Sequence, residues 1–396
     1  MGCGYAAAGA VAEHERSARG RRGVHVHACR AVGRRQLADG GEGVSGRGAA
    51  SAVADRGRRG NGGGRPPAPS IVPPMISASH TASAIASNGG ERLYDVGRGI
   101  ELCAETFGDR ADPPVLLIMG LGMQMVHWPL PLIAALVERG LFVVRFDNRD
   151  RGRSTHMPIA PPSRTRLLTR RFGSEQYTLD DMARDTAGLL DALALDSVHA
   201  VGVSMGGMIA QTLAASWPER VRSLVSIMST TGSRRAGQPK PHVLPLLLKP
   251  APREREAFVV HQLAILTAIG APGDVLDTPE GRAFVADTHD RDPDVRGTGR
   301  QLAAILASGD RTRQLHRIAA PTLVIHGDAD PLITASGGKA TAKAIPGARL
   351  TIVPGMGHGL PERLWPQLVG AIAGHVEAAE RARGGTAATR PAASRS

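Results

Sequence analysis

The sequence predicts an α/β fold: a mostly parallel twisted sheet with helices on both faces and an inserted helical cap. Three observations carry that expectation. From about residue 92, apolar runs of strand length alternate with longer helical patterns. Between about 230 and 318 the alternation stops and no strand-like run occurs. Finally, a glycine-flanked serine stands where one apolar run gives way directly to a helical segment.

The elements follow in order. Residues 92–96 and 100–107 read as two strands, the second alternating around Leu102 and Ala104. Residues 115–119 are continuously apolar, as expected of a central strand buried on both faces. The runs 141–146, 198–203, 224–228 and 322–325 repeat that pattern, and 350–353 is a shorter last one. Thr178 with Asp181 three residues on predicts a helix start close to the capping-box pattern. A helix over 205–216 is closed by Trp217-Pro218, and the last helix is expected over 364–376. Within the interrupting block, 257–269 and 301–306 read as helices, which makes about 230–318 a helical cap.

The chain of 396 residues has room for two or three domains, or for one large α/β domain with insertions. No run of 18 apolar residues suggests a membrane span, and Cys3, Cys29 and Cys103 fit neither a disulfide framework nor a C-x-x-C metal site. The net charge of +12 suggests nucleic acid only until it is located. Residues 1–74 hold 12 Arg against 5 acids, with 16 Gly and only 9 Leu, Ile, Val or Phe. That is too little apolar surface for a core, so a disordered tail dispensable for fold and activity is expected over 1–74. A basic arm would want more aromatic residues than Tyr5, and Arg21-Arg22 is not followed by the apolar segment of an export signal. Translation from Met75 is a further reading of the same segment. A second disordered tail is expected over 377–396 and a single folded domain over 75–376, with a cytoplasmic location and no nucleic-acid or membrane partner.

The chemistry is concentrated in Gly202-Val203-Ser204-Met205-Gly206. A serine between strand and helix must make a sharp turn, for which the flanking glycines leave room. The turn exposes the hydroxyl and sets the next N–H at a helix N-terminus. Such a hydroxyl needs a base, and the base an orienting carboxylate, in the chain order Ser, acid, His. His358 follows the last strand in Gly355-Met356-Gly357-His358-Gly359 and is the expected base, whereas His326 is expected to be buried at a strand end. Of the two carboxylates in His326-Gly327-Asp328-Ala329-Asp330-Pro331, Asp330 is preferred as the acid, and Asp328 is expected to cap the turn. Two backbone N–H groups are expected to form an oxyanion hole: Met205, and Leu121 in Gly120-Leu121-Gly122 after the strand 115–119.

These residues resemble the α/β-hydrolase superfamily over roughly 92–376. Phe146-Asp147-Asn148-Arg149-Asp150-Arg151-Gly152-Arg153-Ser154-Thr155 is similar to that superfamily's D-x-R-x-x-G-x-S loop. Together with L-I-M-G-L-G at 117–122, it resembles aclacinomycin methylesterase-like bacterial carboxylesterases. The resemblance implies a structural role for Asp147, Arg149 and Ser154, and Met119 departs from the His found there in many members. It implies a serine hydrolase of small-molecule carboxylic esters, a methyl ester or lactone among them, with no cofactor and no metal. Carbon–carbon bond hydrolysis, perhydrolase chemistry and a receptor role without turnover are the alternatives. A G-x-G-x-x-G after a strand and an H-E-x-x-H are both absent, and the arginines of 164–171 read as a solvated loop rather than an anion site.

Overall fold

The computed structural model of the chain describes residues 27–28, 85–247 and 249–388. The tail expected over 1–74 lies outside the described residues except for His27 and Ala28, which form strand β1 (His27–Ala28). The chain continues with β2 (Arg92–Asp95), β3 (Glu101–Phe107), β4 (Pro114–Ile118), α1 (Leu130–Val137) and β5 (Phe142–Phe146). Next come α2 (Arg164–Thr169), α3 (Leu179–Ala192), β6 (Val198–Val203), α4 (Met205–Ser216) and β7 (Val221–Ile227). Five helices follow: α5 (Leu244–Leu247), α6 (Arg255–Ile269), α7 (Pro279–Arg291), α8 (Arg296–Ser308) and α9 (Thr312–Leu315). The sheet then resumes with β8 (Thr322–Gly327), α10 (Ala335–Ala344), β9 (Arg349–Val353) and α11 (Trp365–Ala388).

The strand order is β1-β2-β3-β5-β4-β6-β7-β8-β9. β1, β2 and β3 join antiparallel, and β5 to β9 form the parallel part. Val115 and Leu117 point to the layer containing α1 and α11, while Leu116 and Ile118 point to the layer containing α3 and α4. That two-sided burial explains the unbroken apolar run, since no position on the strand meets water. From β4 the chain steps to β5 on one side and then returns to β6 on the other. The carboxyl ends of β4 and β6 therefore flank a topological switch point, the position at which open α/β sheets bind their ligands.

The helical block between β7 and β8 has its own small core. Phe258, Val259, Leu263 and Leu266 of α6 cluster with Val285 and Ala286 of α7. Its attachment to the sheet runs through ion pairs from the loop after β5. Asp147 meets Arg291 at 2.6 Å, Asp150 meets Arg300 at 2.6 Å, and Arg151 meets Asp292 at 3.2 Å. Arg149 is bound at 2.5 Å to Asp185 of α3, and the Ser154 hydroxyl donates to the Asp147 carbonyl. The loop is thus a charged bracket holding α3, α7 and α8 together.

Removing one partner from such a pair has a predictable cost. Asp150 is fully buried, and besides Arg300 it accepts hydrogen bonds from the Tyr177 hydroxyl and the Met157 N–H. Arg300→Met should lower unfolding free energy by about 3 kcal/mol, because a buried carboxylate loses its counter-charge. Urea denaturation checks this, and a loss below about 0.5 kcal/mol, the size of a surface substitution, would remove the bracket's claim to hold the cap.

Three expectations need correction. α11 does not end at 376 but runs to Ala388, so the segment expected as a tail from 377 is helical that far, and 389–396 lie outside the described residues. Ala379 is buried there, and Glu380 pairs with Arg222 of β7 at 3.4 Å, contacts that no apolar stripe announces. Residues 164–169 form the short helix α2, with Ser163 as its N-cap, rather than a loop. The cap also contains α7, whose polar sequence shows little apolar periodicity. Among the described residues no helix is long and apolar enough to cross a membrane, and no group of three or more His, Cys, Asp or Glu could hold a metal ion.

Candidate active site

Ser204 sits between β6 and α4 with φ +54° and ψ −119°, a conformation that L-residues rarely adopt. Its N–H donates to the Ile227 carbonyl at 2.9 Å, and its carbonyl accepts from the Ser229 hydroxyl at 2.8 Å. The turn is therefore held from the neighbouring strand. A Cβ on Gly202 would stand 2.2 Å from the Gly206 carbonyl oxygen, and one on Gly206 would stand 2.1 Å from the Ile118 oxygen. Both glycines of the motif are thus required by backbone meeting backbone, which no side-chain rearrangement relieves.

The chain brings the three side chains named from the sequence together above the carboxyl ends of β6, β8 and β9. His358 Nε2 lies 3.0 Å from Ser204 Oγ, and His358 Nδ1 lies 2.7 Å from Asp330 Oδ2. Asp330 is buried, and its other oxygen, Oδ1, accepts from the Leu332 and Ile333 N–H groups at 2.9 Å each. Burial pushes its carboxyl pKa up. The attraction of His358 and hydrogen bonds from His326, His358 and the Ile333 N–H outweigh it and hold the pKa at about 2. Asp330 is accordingly a carboxylate across the whole neutral range.

Asp328 is exposed and does not close its own turn. It accepts from the Gly355 N–H at 2.7 Å, tying the loop after β8 to the loop after β9. The turn-closing role expected of Asp328 belongs to Asp330 Oδ1. His326 is fully buried, as expected at a strand end, with its Nε2 2.7 Å from the Ile333 carbonyl oxygen. The same nitrogen lies 3.5 Å from Asp330 Oδ2, so a second imidazole faces the carboxylate. Its position four residues before Asp330 is the only trace of this in the sequence.

The loop after β4 approaches Ser204 closely. A Cβ on Gly120 would be 3.2 Å from Ser204 Cβ. The Gly122 N–H is taken by the side-chain oxygen of Gln301 at 2.9 Å, and Asn148 donates to the Met119 carbonyl. These two contacts fix the loop from α8 and from the β5 bracket, and neither was foreseen, because each joins residues distant in sequence. Among the described residues the N–H groups of Leu121 and Met205 have no hydrogen-bond partner, and Met205 is the first residue of α4.

The histidine loop is seated on the cap. His358 N–H donates to the Ile269 carbonyl at the end of α6, and a Cβ on Gly357 would stand 2.3 Å from the Gly270 carbonyl carbon. Gly357→Ala should therefore push the His358 loop off the cap and lower kcat/KM at least about tenfold, since small misplacements of a reacting group are costly. Wild-type kinetics on a chromogenic ester would show that the two backbones are not in contact in solution.

Residues 113–268 match the family model described as the alpha/beta hydrolase fold. Rhodomycin D methylesterase of Streptomyces peucetius is 30% identical over 302 residues, covering 71% of this chain and 96% of the relative. 3-Oxoadipate enol-lactonase 2 of Acinetobacter baylyi is 28% identical, over 59% of this chain and 78% of that protein. Among solved structures, the enol-lactonase from Burkholderia xenovorans LB400 superposes with a TM-score of 0.57 at 24% identity, covering 72% of this chain and 99% of its own. That last likeness speaks to the fold.

Proposed function

Because the chain belongs to the α/β-hydrolase fold family, we propose that it hydrolyses a small-molecule carboxylic ester through an acyl-enzyme on Ser204. The observation that carries this reading is the continuous relay from Ser204 Oγ through His358 to Asp330, at 3.0 and 2.7 Å. His358 Nε2 takes the hydroxyl proton as Oγ attacks the ester carbonyl, and returns it to the leaving alcohol. Asp330 holds the Nδ1–H tautomer and stabilises the imidazolium. The carbonyl oxygen, negative in the tetrahedral intermediate, is received by the N–H groups of Leu121 and Met205. Water then repeats the sequence on the acyl-enzyme, with His358 again the base.

A methyl ester or a lactone is the substrate class that the relatives' names support, since one is a methylesterase and another an enol-lactonase. A panel of methyl, ethyl and aryl esters alongside γ-lactones tests the reading. Turnover of at least one class, together with covalent labelling of Ser204 by a fluorophosphonate, is the expected result. A chain that neither turns over nor labels would be a receptor on this fold. The reading includes a cytoplasmic location and no bound cofactor.

A further inference from the structure

A cavity of about 530 Å³ lies apart from the Ser204–His358 pair, lined by Arg170, Gly232, Ser233, Arg234, Arg235, Leu306, Gly309 and Asp310. Three arginines and one aspartate leave it two positive charges. Among the described residues none of the three arginines has a carboxylate within ion-pair distance. Asp310 Oδ1 is occupied by the Thr312 N–H at 2.9 Å and the Thr312 hydroxyl at 2.6 Å. Its carboxylate is thus engaged by the start of α9, with Ser233 also beside it. Arg170 is held below the usual arginine range, first by its partial burial and then by the charge of Arg234. Like charges converging on one concavity repel, and an anion between them reverses the sign of that interaction.

The cavity walls are fixed rather than loose. Arg311 is buried, and its guanidinium donates to the Thr230 carbonyl, the Met208 carbonyl and the Gln211 side chain. Its N–H donates to the Thr231 carbonyl, clamping the 309–311 turn to the 230–233 segment. A Cβ on Gly232 would stand 2.2 Å from the Gly309 oxygen, so the two segments touch backbone to backbone. Ser229, which binds the Ser204 carbonyl, precedes Ser233 by four residues, a reach of at most about 14 Å of extended chain. The cavity wall is thus joined to the serine turn through a short stretch of chain.

We propose that this cavity binds a small organic anion through its carboxylate or phosphate oxygens, with Arg170, Arg234 and Arg235 as the recognising groups. Guanidinium groups suit such oxygens because their N–H donors match them in pairs. The volume is that of a small-molecule site rather than of a single ion. The anion is either a group carried by the ester substrate or a separate metabolite. The chemistry of recognition is the same in both cases.

The test is calorimetric titration of citrate into the full chain. Wild type is expected to bind citrate with an affinity that falls as salt is raised, and the double variant Arg170→Gln, Arg234→Gln to bind at least about tenfold more weakly, having lost two charge-assisted contacts. Arg317→Gln, an exposed charge elsewhere, controls for net charge and should bind as wild type. Ser204→Ala should also bind as wild type, which keeps this test independent of the ester-hydrolysis reading. The source is separated by assaying p-nitrophenyl butyrate hydrolysis with citrate present. Competitive inhibition places the anion on the substrate, and an unchanged KM places it on a separate ligand. Absence of binding at millimolar citrate, or equal weakening in Arg317→Gln and the double variant, would overturn the proposal and leave the three arginines as solvated charges.

Discussion

Ser204→Ala is expected to lower kcat on an activated ester by about 10⁶-fold, to the level that binding and backbone donors alone sustain. The magnitude follows from the relay: with Oγ gone, His358 Nε2 has no hydroxyl 3.0 Å away to deprotonate, and no acyl-enzyme forms. Fold should be retained, because the turn is held by backbone bonds to Ile227 and Ser229 that the substitution does not touch. The measurement is kcat against wild type at matched purity, with circular dichroism to verify folding. Residual activity within about a hundredfold of wild type would mean that another group is the nucleophile, since loss of a true nucleophile costs far more than that.

The two aspartates on the loop after β8 separate next. Asp330→Asn should cost about 10⁴ in kcat, as the equivalent change does in a triad on another fold. The amide oxygen can still accept from the Leu332 and Ile333 N–H groups, so the turn survives. Its NH₂ would then face His358 Nδ1, favouring the tautomer that carries its proton on Nε2 and cannot accept one from Ser204. Asp328→Asn keeps an acceptor for the Gly355 N–H and should change kcat less than about threefold and stability by no more than about 1 kcal/mol. The reverse ranking would move the acid two residues earlier in the chain. Equal small losses would direct the search to a carboxylate on another strand.

What could be read from the sequence, and what could not, divides along a physical line. Strands β4, β6 and β8 announce themselves because burial on both faces forces every position to be apolar. The serine turn is legible because its steric demands are local, met by Gly202 and Gly206 within two residues. Thr178 and Asp181 give the start of α3 for the same reason: both halves of the cap lie in one turn of chain. α7 is not legible because few of its side chains are buried apolar groups and its anchoring is ionic, through Arg291 to Asp147, 144 residues away. The contacts of Gln301 with Gly122 and of His326 with Asp330 belong to this second class, since nothing local distinguishes those side chains from any other glutamine or strand-end histidine. The last turns of α11 are not legible, because Glu380 finds its partner on the distant strand β7.

The left-handed backbone at Ser204 has an evolutionary corollary. Holding a residue with a Cβ at φ +54° costs roughly 1–3 kcal/mol, and a glycine there would avoid most of it. Drift toward greater stability would therefore tend to replace the serine with the one residue that has no side chain, and the hydroxyl would go with it. Proteins sit only a little above the threshold of folding, so a deficit of that size is tolerated where it is matched by a benefit to the organism. Ser204 is such a place: the chain carries the strained residue, and thermal robustness alone offers no reason for that choice.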